Sequence, residues 1–99
     1  MEYKDPIKVS PNHYRLLLED GNFRIVEMSL RAGTSDIEHS HPNEMVYFIT
    51  GGKARIHLPD GESVELEIPD GHAMKHEPWT HRVENIGTTD IKAIIFERK

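Results

Sequence analysis

The sequence predicts an all-β fold made of short strands. Apolar and polar residues alternate over several short runs, as they do in half-buried strands. Turn sequences such as Pro59-Asp60-Gly61 and Pro69-Asp70-Gly71 separate these runs. No run has the apolar spacing of an amphipathic helix, so we expect sheets and no helix.

The chain of 99 residues predicts one domain preceded by an arm. This length supports a single modest core and leaves no room for a second domain. Residues 1–13 contain Pro6 and Pro11 and are predicted to be an irregular arm with one extended piece at Ile7–Val9. We expect this arm to pack on the outside of the domain, residues 14–99, or on a partner subunit.

The strands follow one another along the domain. Asp20-Gly21-Asn22 predicts a hairpin turn, because Gly and Asn tolerate positive φ. In the next strong strand, Val46 and Phe48 share the parity of Glu44 and should face inward, whereas Tyr47 should face outward. The predicted strands lie at residues 14–19, 23–30, 46–49, 53–58, 63–68 and 91–96.

Composition limits the partners and the location. The chain has 12 Lys and Arg residues against 17 Asp and Glu, and its net charge of −5 argues against a nucleic-acid partner. No segment has the apolar length of a membrane span, and the N-terminus has no signal-peptide core. We therefore expect a cytoplasmic protein with no membrane partner. Cysteine is absent, so His, Asp and Glu are the strong metal ligands that remain.

The segment from His39 to Gly51 carries the clearest candidate site. His39 and His41 are two residues apart, so on a strand both imidazoles leave the same face. Glu44 follows with a carboxylate. Two imidazoles and a carboxylate on a β scaffold suit a divalent transition metal that keeps open positions. The alternative is that the two histidines mark an exposed strand end.

The spacing in this segment resembles the first motif of the cupin family. Gly33, His39, His41, Glu44 and Gly51 match it, although the spacer between His41 and Glu44 is shorter than the family's. A second motif is half preserved. His81 and Asn85 match its end, while His76 and Pro78 replace the residues that the family prefers.

The resemblance implies a fold, an assembly and a metal site. The implied fold is a double-stranded β-helix, that is, a jelly-roll barrel, and the implied assembly is a homodimer. The implied ligands of a divalent transition metal (Fe, Mn, Ni, Co, Cu or Zn) are His39, His41, Glu44 and His81. Four protein ligands on an octahedral ion leave two positions for water, dioxygen or a small-molecule substrate.

Other side chains near the second motif bear on the chemistry. His76 is the candidate catalytic residue, as a general base or substrate contact, since imidazole titrates near neutrality. His72 is a weaker candidate of the same kind, and both have the alternative of being rim residues. Trp79 either belongs to the core or closes the pocket over a ligand. His13 and His57 are predicted to be surface histidines.

Three functions remain open. The first is a metal-dependent enzyme that acts on a small oxygenated metabolite, either a dioxygenase or an isomerase or lyase working through an enolate. The second is a module, metal-bound or metal-free, that binds a small ligand without turnover. The third is a metal-free barrel that has no chemistry or uses histidines as acid and base. Metal content separates the third from the others, and oxygen consumption separates the first two.

Overall fold

Nine strands and one short helix make up residues 2–99, the part of the chain that the computed structural model describes. The elements are α1 (Pro6–Val9), β1 (Tyr14–Glu19), β2 (Phe23–Leu30), β3 (His39–His41), β4 (Glu44–Thr50), β5 (Gly52–His57), β6 (Ser63–Ile68), β7 (Ala73–His76), β8 (Trp79–Asn85) and β9 (Ile91–Arg98). The all-β prediction is confirmed. No helix in this part of the chain is long and apolar enough to cross a membrane.

The strands form two antiparallel sheets that enclose one core. The five-stranded sheet has the order β1-β2-β9-β4-β7, and the four-stranded sheet has the order β3-β8-β5-β6. Neighbours in each sheet are mostly distant in sequence, which is the crossing pattern of a jelly roll. The predicted jelly-roll architecture is therefore confirmed, and its two sheets place β3 and β8 side by side.

Strand parity follows the prediction in β4, an interior strand of the five-stranded sheet. Val46 and Phe48 are buried, whereas Tyr47 is 47% exposed. The buried apolar side chains of both sheets form one cluster: Tyr14, Val26, Met28, Leu30, Val46, Phe48, Ala54, Ile56, Val83, Ile91, Ala93 and Ile95.

The N-terminal arm differs from the prediction. Residues 6–9 form a helical turn, so the expected extended piece at Ile7–Val9 is wrong. Asp5 caps the turn by accepting a hydrogen bond from the Ile7 amide at 3.0 Å, and Pro6 suits the first helical position. The arm lies against its own domain, where the Ser40 amide donates to the Lys4 carbonyl at 2.6 Å.

The β1–β2 hairpin is present, but its turn is stabilised differently from the prediction. Gly21 and Asn22 do not have positive φ, which in residues 2–99 is confined to four other glycines. Instead, the Asp20 carboxylate accepts hydrogen bonds from the amides of Asn22 and Phe23 at 2.7 and 2.8 Å. This is an Asx turn, in which the side chain replaces a backbone acceptor.

Two motif glycines are required by the backbone. Gly33 has a φ of +78° and its amide donates to the Asn85 carbonyl at 3.0 Å, which turns the chain toward β3. A side chain at Gly51 would collide with the carbonyl oxygen of Ile68. Both glycines therefore shape the chain on either side of the histidine segment.

Candidate metal centre

Pairing of β3 with β8 brings three histidines together inside the barrel. His39 lies directly opposite His81, and His41 lies opposite Trp79 in the same antiparallel register. All three imidazoles are buried, and their ligand nitrogens lie within 4.8 Å of one another, close enough to hold one metal ion. We refer to His39, His41 and His81 as the histidine triad. The expectation that His39 and His41 leave one face of a strand is confirmed by this geometry.

The three rings are packed against one another at steep angles. The ring centroids of His39 and His41 are 4.7 Å apart, those of His39 and His81 are 4.8 Å apart, and those of His41 and His81 are 5.3 Å apart. Their interplanar angles are 83°, 71° and 88°, so the rings meet edge to face and are not stacked. With this packing, one ligand nitrogen of each ring lies within 4.8 Å of the other two.

The surroundings of His81 show that the triad fits a metal ion. Its Nδ1 and Nε2 atoms are both buried, and neither has a hydrogen-bond partner within the described residues. Buried polar atoms in proteins are nearly always paired, because an unpaired one loses its hydration without compensation. A divalent ion bound to one of these nitrogens would supply the missing interaction, so the donor set fits a transition metal.

Backbone contacts orient His39. Its Nδ1 lies 2.7 Å from the carbonyl oxygen of Ile37 and must donate to it, which leaves the lone pair on Nε2. The hydroxyl of Tyr14 lies 3.1 Å from that Nε2 and 2.6 Å from a carboxylate oxygen of Asp36. Tyr14 and Asp36 thus form a buried polar group beside the triad.

A buried carboxylate orients His41. Nδ1 of His41 donates to Oε2 of Glu97 at 2.5 Å, which leaves its Nε2 free to bind a metal. Arg24 donates through Nε to the other oxygen of Glu97 at 2.5 Å and through a terminal nitrogen to Asp5 at 2.9 Å. Glu97 is completely buried, so Arg24 compensates its charge.

Burial keeps the imidazoles of His39 and His81 neutral. Desolvation, together with the neighbouring His41, lowers the pKa of His39 to about 4. Desolvation and the neighbouring histidines also hold the pKa of His81 well below its usual value. Neutral imidazole is the form that binds metal, so protons do not compete for these two nitrogens at neutral pH.

Glu44 is inside the barrel but is not part of the triad. It is buried, and its Oε2 accepts a hydrogen bond from the Trp79 indole nitrogen at 2.9 Å. Burial raises the pKa of Glu44 above its usual value, although His41 and Trp79 oppose the rise. Metal ligation by Glu44 therefore stays a prediction, with its Oε2 already accepting a hydrogen bond from the indole.

His76 lies outside the histidine triad. Its ring stacks on Trp79 with centroids 3.6 Å apart and an angle of 18°, and its Nδ1 bonds the Glu77 carbonyl at 2.6 Å. Trp79 in turn contacts His81, with ring centroids 4.0 Å apart. His76 lines a separate surface groove and not the cavity that His41 and His81 border, and its catalytic role stays a prediction.

Two members of the triad, His41 and His81, line a cavity of about 190 Å³ between the sheets. His41, His81 and Glu44 lie in its wall together with Trp79, and most of the remaining wall is aliphatic or aromatic. The exposed ring of His72 also borders it, 6.2 Å from the ring of Phe48. His13 and His57 bond Ser10 and Glu84 and do not belong to the triad.

Glu97 and Asp36 were not found by sequence reasoning. Glu97 does carry a signal, because it shares the inward parity of Ile91, Ala93 and Ile95 on an apolar strand. A charged residue at such a position needs a buried partner. Asp36 precedes the histidine segment in an irregular stretch and has no comparable signal.

Solved structures with the same fold are known. A cupin domain from Bordetella pertussis matches with a TM-score of 0.79 and 20% identity, covering 100% of this chain and 98% of that one. A RmlC-like cupin family protein with a double-stranded β-helix fold from Methanocaldococcus jannaschii matches with a TM-score of 0.67 and 15% identity, covering 86% and 77%.

A third similar structure is a conserved protein with a double-stranded β-helix domain from Klebsiella pneumoniae, with a TM-score of 0.64 and 22% identity over 83% of this chain and 72% of that one. At these identities the likeness concerns the fold, and it confirms the double-stranded β-helix of the cupins. No protein-family model and no curated protein sequence matches the chain.

Proposed function

Since the chain has the cupin fold, we propose that it is a metal-dependent enzyme that holds one divalent transition-metal ion on His39, His41 and His81. The substrate would be a small oxygenated metabolite in the cavity beside the triad. A bound ion of this kind polarises an oxygen group of a substrate or activates dioxygen. The observation that carries the proposal is the buried His81 ring, whose two nitrogens have no partner within residues 2–99.

The protein's own residues divide the work around such an ion. Ile37 and Glu97 accept from Nδ1 of His39 and His41 and so fix both rings, which leaves the Nε2 lone pair of each ring as the donor for a metal. The apolar wall excludes water from the reacting group. Glu44, whose pKa is raised by burial, is the candidate proton acceptor for an isomerase or lyase, whereas a dioxygenase needs no such group.

The proposal is tested by turnover after metal reconstitution. Metal-free protein is reloaded separately with Fe(II), Mn(II), Ni(II) or Zn(II), and oxygen consumption and product formation are followed with candidate metabolites. We expect turnover with at least one metal, loss of it in His81→Leu, and retention in the matched control His57→Leu. Equal turnover by metal-free protein or by His81→Leu would contradict the proposal.

A binding module without turnover is the second candidate. The candidate catalytic residue His76 does not line the cavity, and one oxygen of Glu44 already accepts a hydrogen bond from Trp79, which disfavours turnover by proton transfer. Stoichiometric ligand binding by metal-loaded protein, with no turnover for any metal, would favour this candidate. A Glu44→Gln variant that keeps ligand binding unchanged would point in the same direction.

The homodimer expected from the resemblance stays a proposal, and an exposed apolar surface supports it. We define the outer face by six exposed apolar side chains on β1, β2, β4 and β9: Leu18, Phe23, Met45, Tyr47, Ile49 and Phe96. The strand register places Leu18, Ile25, Phe96 and Met45 in one row across the sheet. Contiguous apolar patches of this kind mark association surfaces, and a two-fold dimer would pair this face with itself.

A further inference from the structure

The cavity beside the triad has two chemically different ends. At one end lie His41, His81 and the Glu44–Trp79 pair. The rest of the wall is made by side chains such as Met28, Val46, Phe48, Ile56, Leu66 and Ile95. A bound molecule would therefore have its polar group at the triad and its body against hydrocarbon.

The charge of the wall restricts the ligand further. No Lys or Arg belongs to the cavity wall in residues 2–99, and its carboxylates are those of Glu44 and Glu67. Proteins commonly bind phosphate groups through Arg or Lys side chains. The wall of this cavity provides neither. Away from a metal ion at the triad, a phosphorylated or multiply charged ligand would lose hydration without gaining a countercharge from the wall.

The volume of the cavity limits the size of the ligand. An apolar cavity of about 150 Å³ is known to accept benzene, and the cavity here is about 190 Å³. By this comparison a ligand of roughly six to nine non-hydrogen atoms fits. A nucleotide, a disaccharide or a long acyl chain is too large.

We infer that the ligand of this site is a small, mainly apolar molecule with a single oxygen-donor group, neutral or singly negative, whose oxygen lies at the triad. This inference rests on the proposed function, because the oxygen group is the one that would meet the metal. It narrows the substrate from any small oxygenated metabolite to compounds of the size and polarity of an aromatic or branched aliphatic acid, alcohol or enol.

Trp79 provides the readout. It is the only tryptophan of the chain and lies in the cavity wall against His81, so its fluorescence reports on a ligand there. Zinc-loaded protein is titrated with benzoate and hexanoate as apolar probes, and with 3-phosphoglycerate as a small polyanionic one. We expect saturable fluorescence changes with the two apolar probes and none with 3-phosphoglycerate.

Two substitutions on β6 localise the effect. Leu66 lines the cavity and is 43% exposed, whereas Val64 is 50% exposed, has the same strand parity and does not line it. Leu66→Asp should weaken benzoate binding by about tenfold or more, because a carboxylate replaces apolar wall. Val64→Asp adds the same charge nearby and should leave binding within about twofold. Circular dichroism checks that both variants fold.

The outcomes separate this inference from the proposed metal site. Metal content is measured in the same samples. If the metal is bound and neither apolar probe binds, or if 3-phosphoglycerate binds as tightly as benzoate, the ligand class is wrong and the metal site stands. If the apolar probes bind although no metal does, the ligand class stands and the proposed function fails. Equal weakening by Leu66→Asp and Val64→Asp would also overturn the assignment to this cavity.

Discussion

Glu97 is a buried carboxylate that orients one member of the triad, His41. It accepts hydrogen bonds from His41 and from Arg24, and these two partners hold its pKa below the usual value although burial acts to raise it. An ionised carboxylate behind a histidine fixes the tautomer and raises the basicity of the ligand nitrogen. Glu97 is therefore expected to act on metal affinity through His41.

Replacing Glu97 with Gln should weaken metal binding by about 10- to 100-fold, because the carboxylate that orients His41 loses its charge. The dissociation constant is measured by competition with a chromophoric chelator. Glu19→Gln is the control, since Glu19 pairs with Lys99 at the surface of the same sheet. An unchanged affinity in Glu97→Gln would show that His41 does not need this partner.

The lowered pKa of His39 predicts how the stability of the metal-free protein depends on pH. In the unfolded chain His39 takes up a proton near pH 6.5, but in the folded protein only near pH 4. Its contribution is present above pH 6.5 and is lost as the pH falls toward 4. Between pH 7.5 and 5, wild type should lose about 2 kcal/mol more unfolding free energy than His39→Asn.

This difference is measured by urea unfolding of both proteins in the presence of a chelator. The comparison isolates His39, because Asp36 and the other titrating groups are common to both proteins. Parallel pH profiles for wild type and His39→Asn would contradict the assignment of His39 as a buried neutral imidazole.

The residues of the site differ in how well a sequence can predict them. His39 and His41 share a strand face by local parity, and the motif resemblance added His81. Glu97 accepts a hydrogen bond from His41, which is 56 positions away in the chain. Trp79 on β8 donates to the Glu44 carboxylate on β4. Such partners depend on which strands become neighbours, which local periodicity does not determine.

Along strand β4, successive side chains alternate between the interior and the surface. Phe48→Asp should unfold the protein or abolish its soluble expression, because an unpaired carboxylate in the core costs several kcal/mol against a typical total stability of about 5–15 kcal/mol. Phe48→Leu, which keeps the side chain apolar, should fold. Thermal unfolding followed by circular dichroism tests both variants, and a stable Phe48→Asp protein would contradict the inward placement.

The N-terminal arm and strand β6 show what local sequence patterns do not predict. Two prolines suggested an irregular arm, but Asp5 and Pro6 instead begin a helical turn that four residues complete. The β6 strand was predicted correctly, yet Val64 and Leu66 are half-exposed because β6 is the edge of its sheet. Alternation predicts that a strand forms, whereas burial depends on what the sheet packs against.

At the scale of the molecule, the outer face predicts self-association. Phe96→Asp places a charge in the middle of its apolar row and should convert a dimer into a monomer. Lys53→Asp, an exposed position on the other sheet, should leave the assembly unchanged. Sedimentation velocity distinguishes the two states. A monomeric wild type, or a dimer that survives Phe96→Asp, would rule out this face as the interface.

The sequence predicted more of the fold than of the cavity and its chemistry. Turn signals and alternation predicted many short strands, because they report on local backbone geometry. The resemblance of the two partial motifs to the cupin family implied the double-stranded β-helix. The mainly apolar cavity arises from Met28, Ile56, Leu66 and other side chains on separate strands of both sheets. No single stretch of sequence carries that information.

The most direct test of the histidine triad is elemental analysis of protein purified without an affinity tag or chelator, expressed as metal per chain. The proposed site predicts about one equivalent of a first-row transition metal in wild type, lost in both His39→Ala and His81→Ala. The opposite result is a wild-type protein that contains no metal and also fails to take up added Fe, Mn, Ni or Zn. An equivalent of metal that persists in His81→Ala would contradict the site just as firmly.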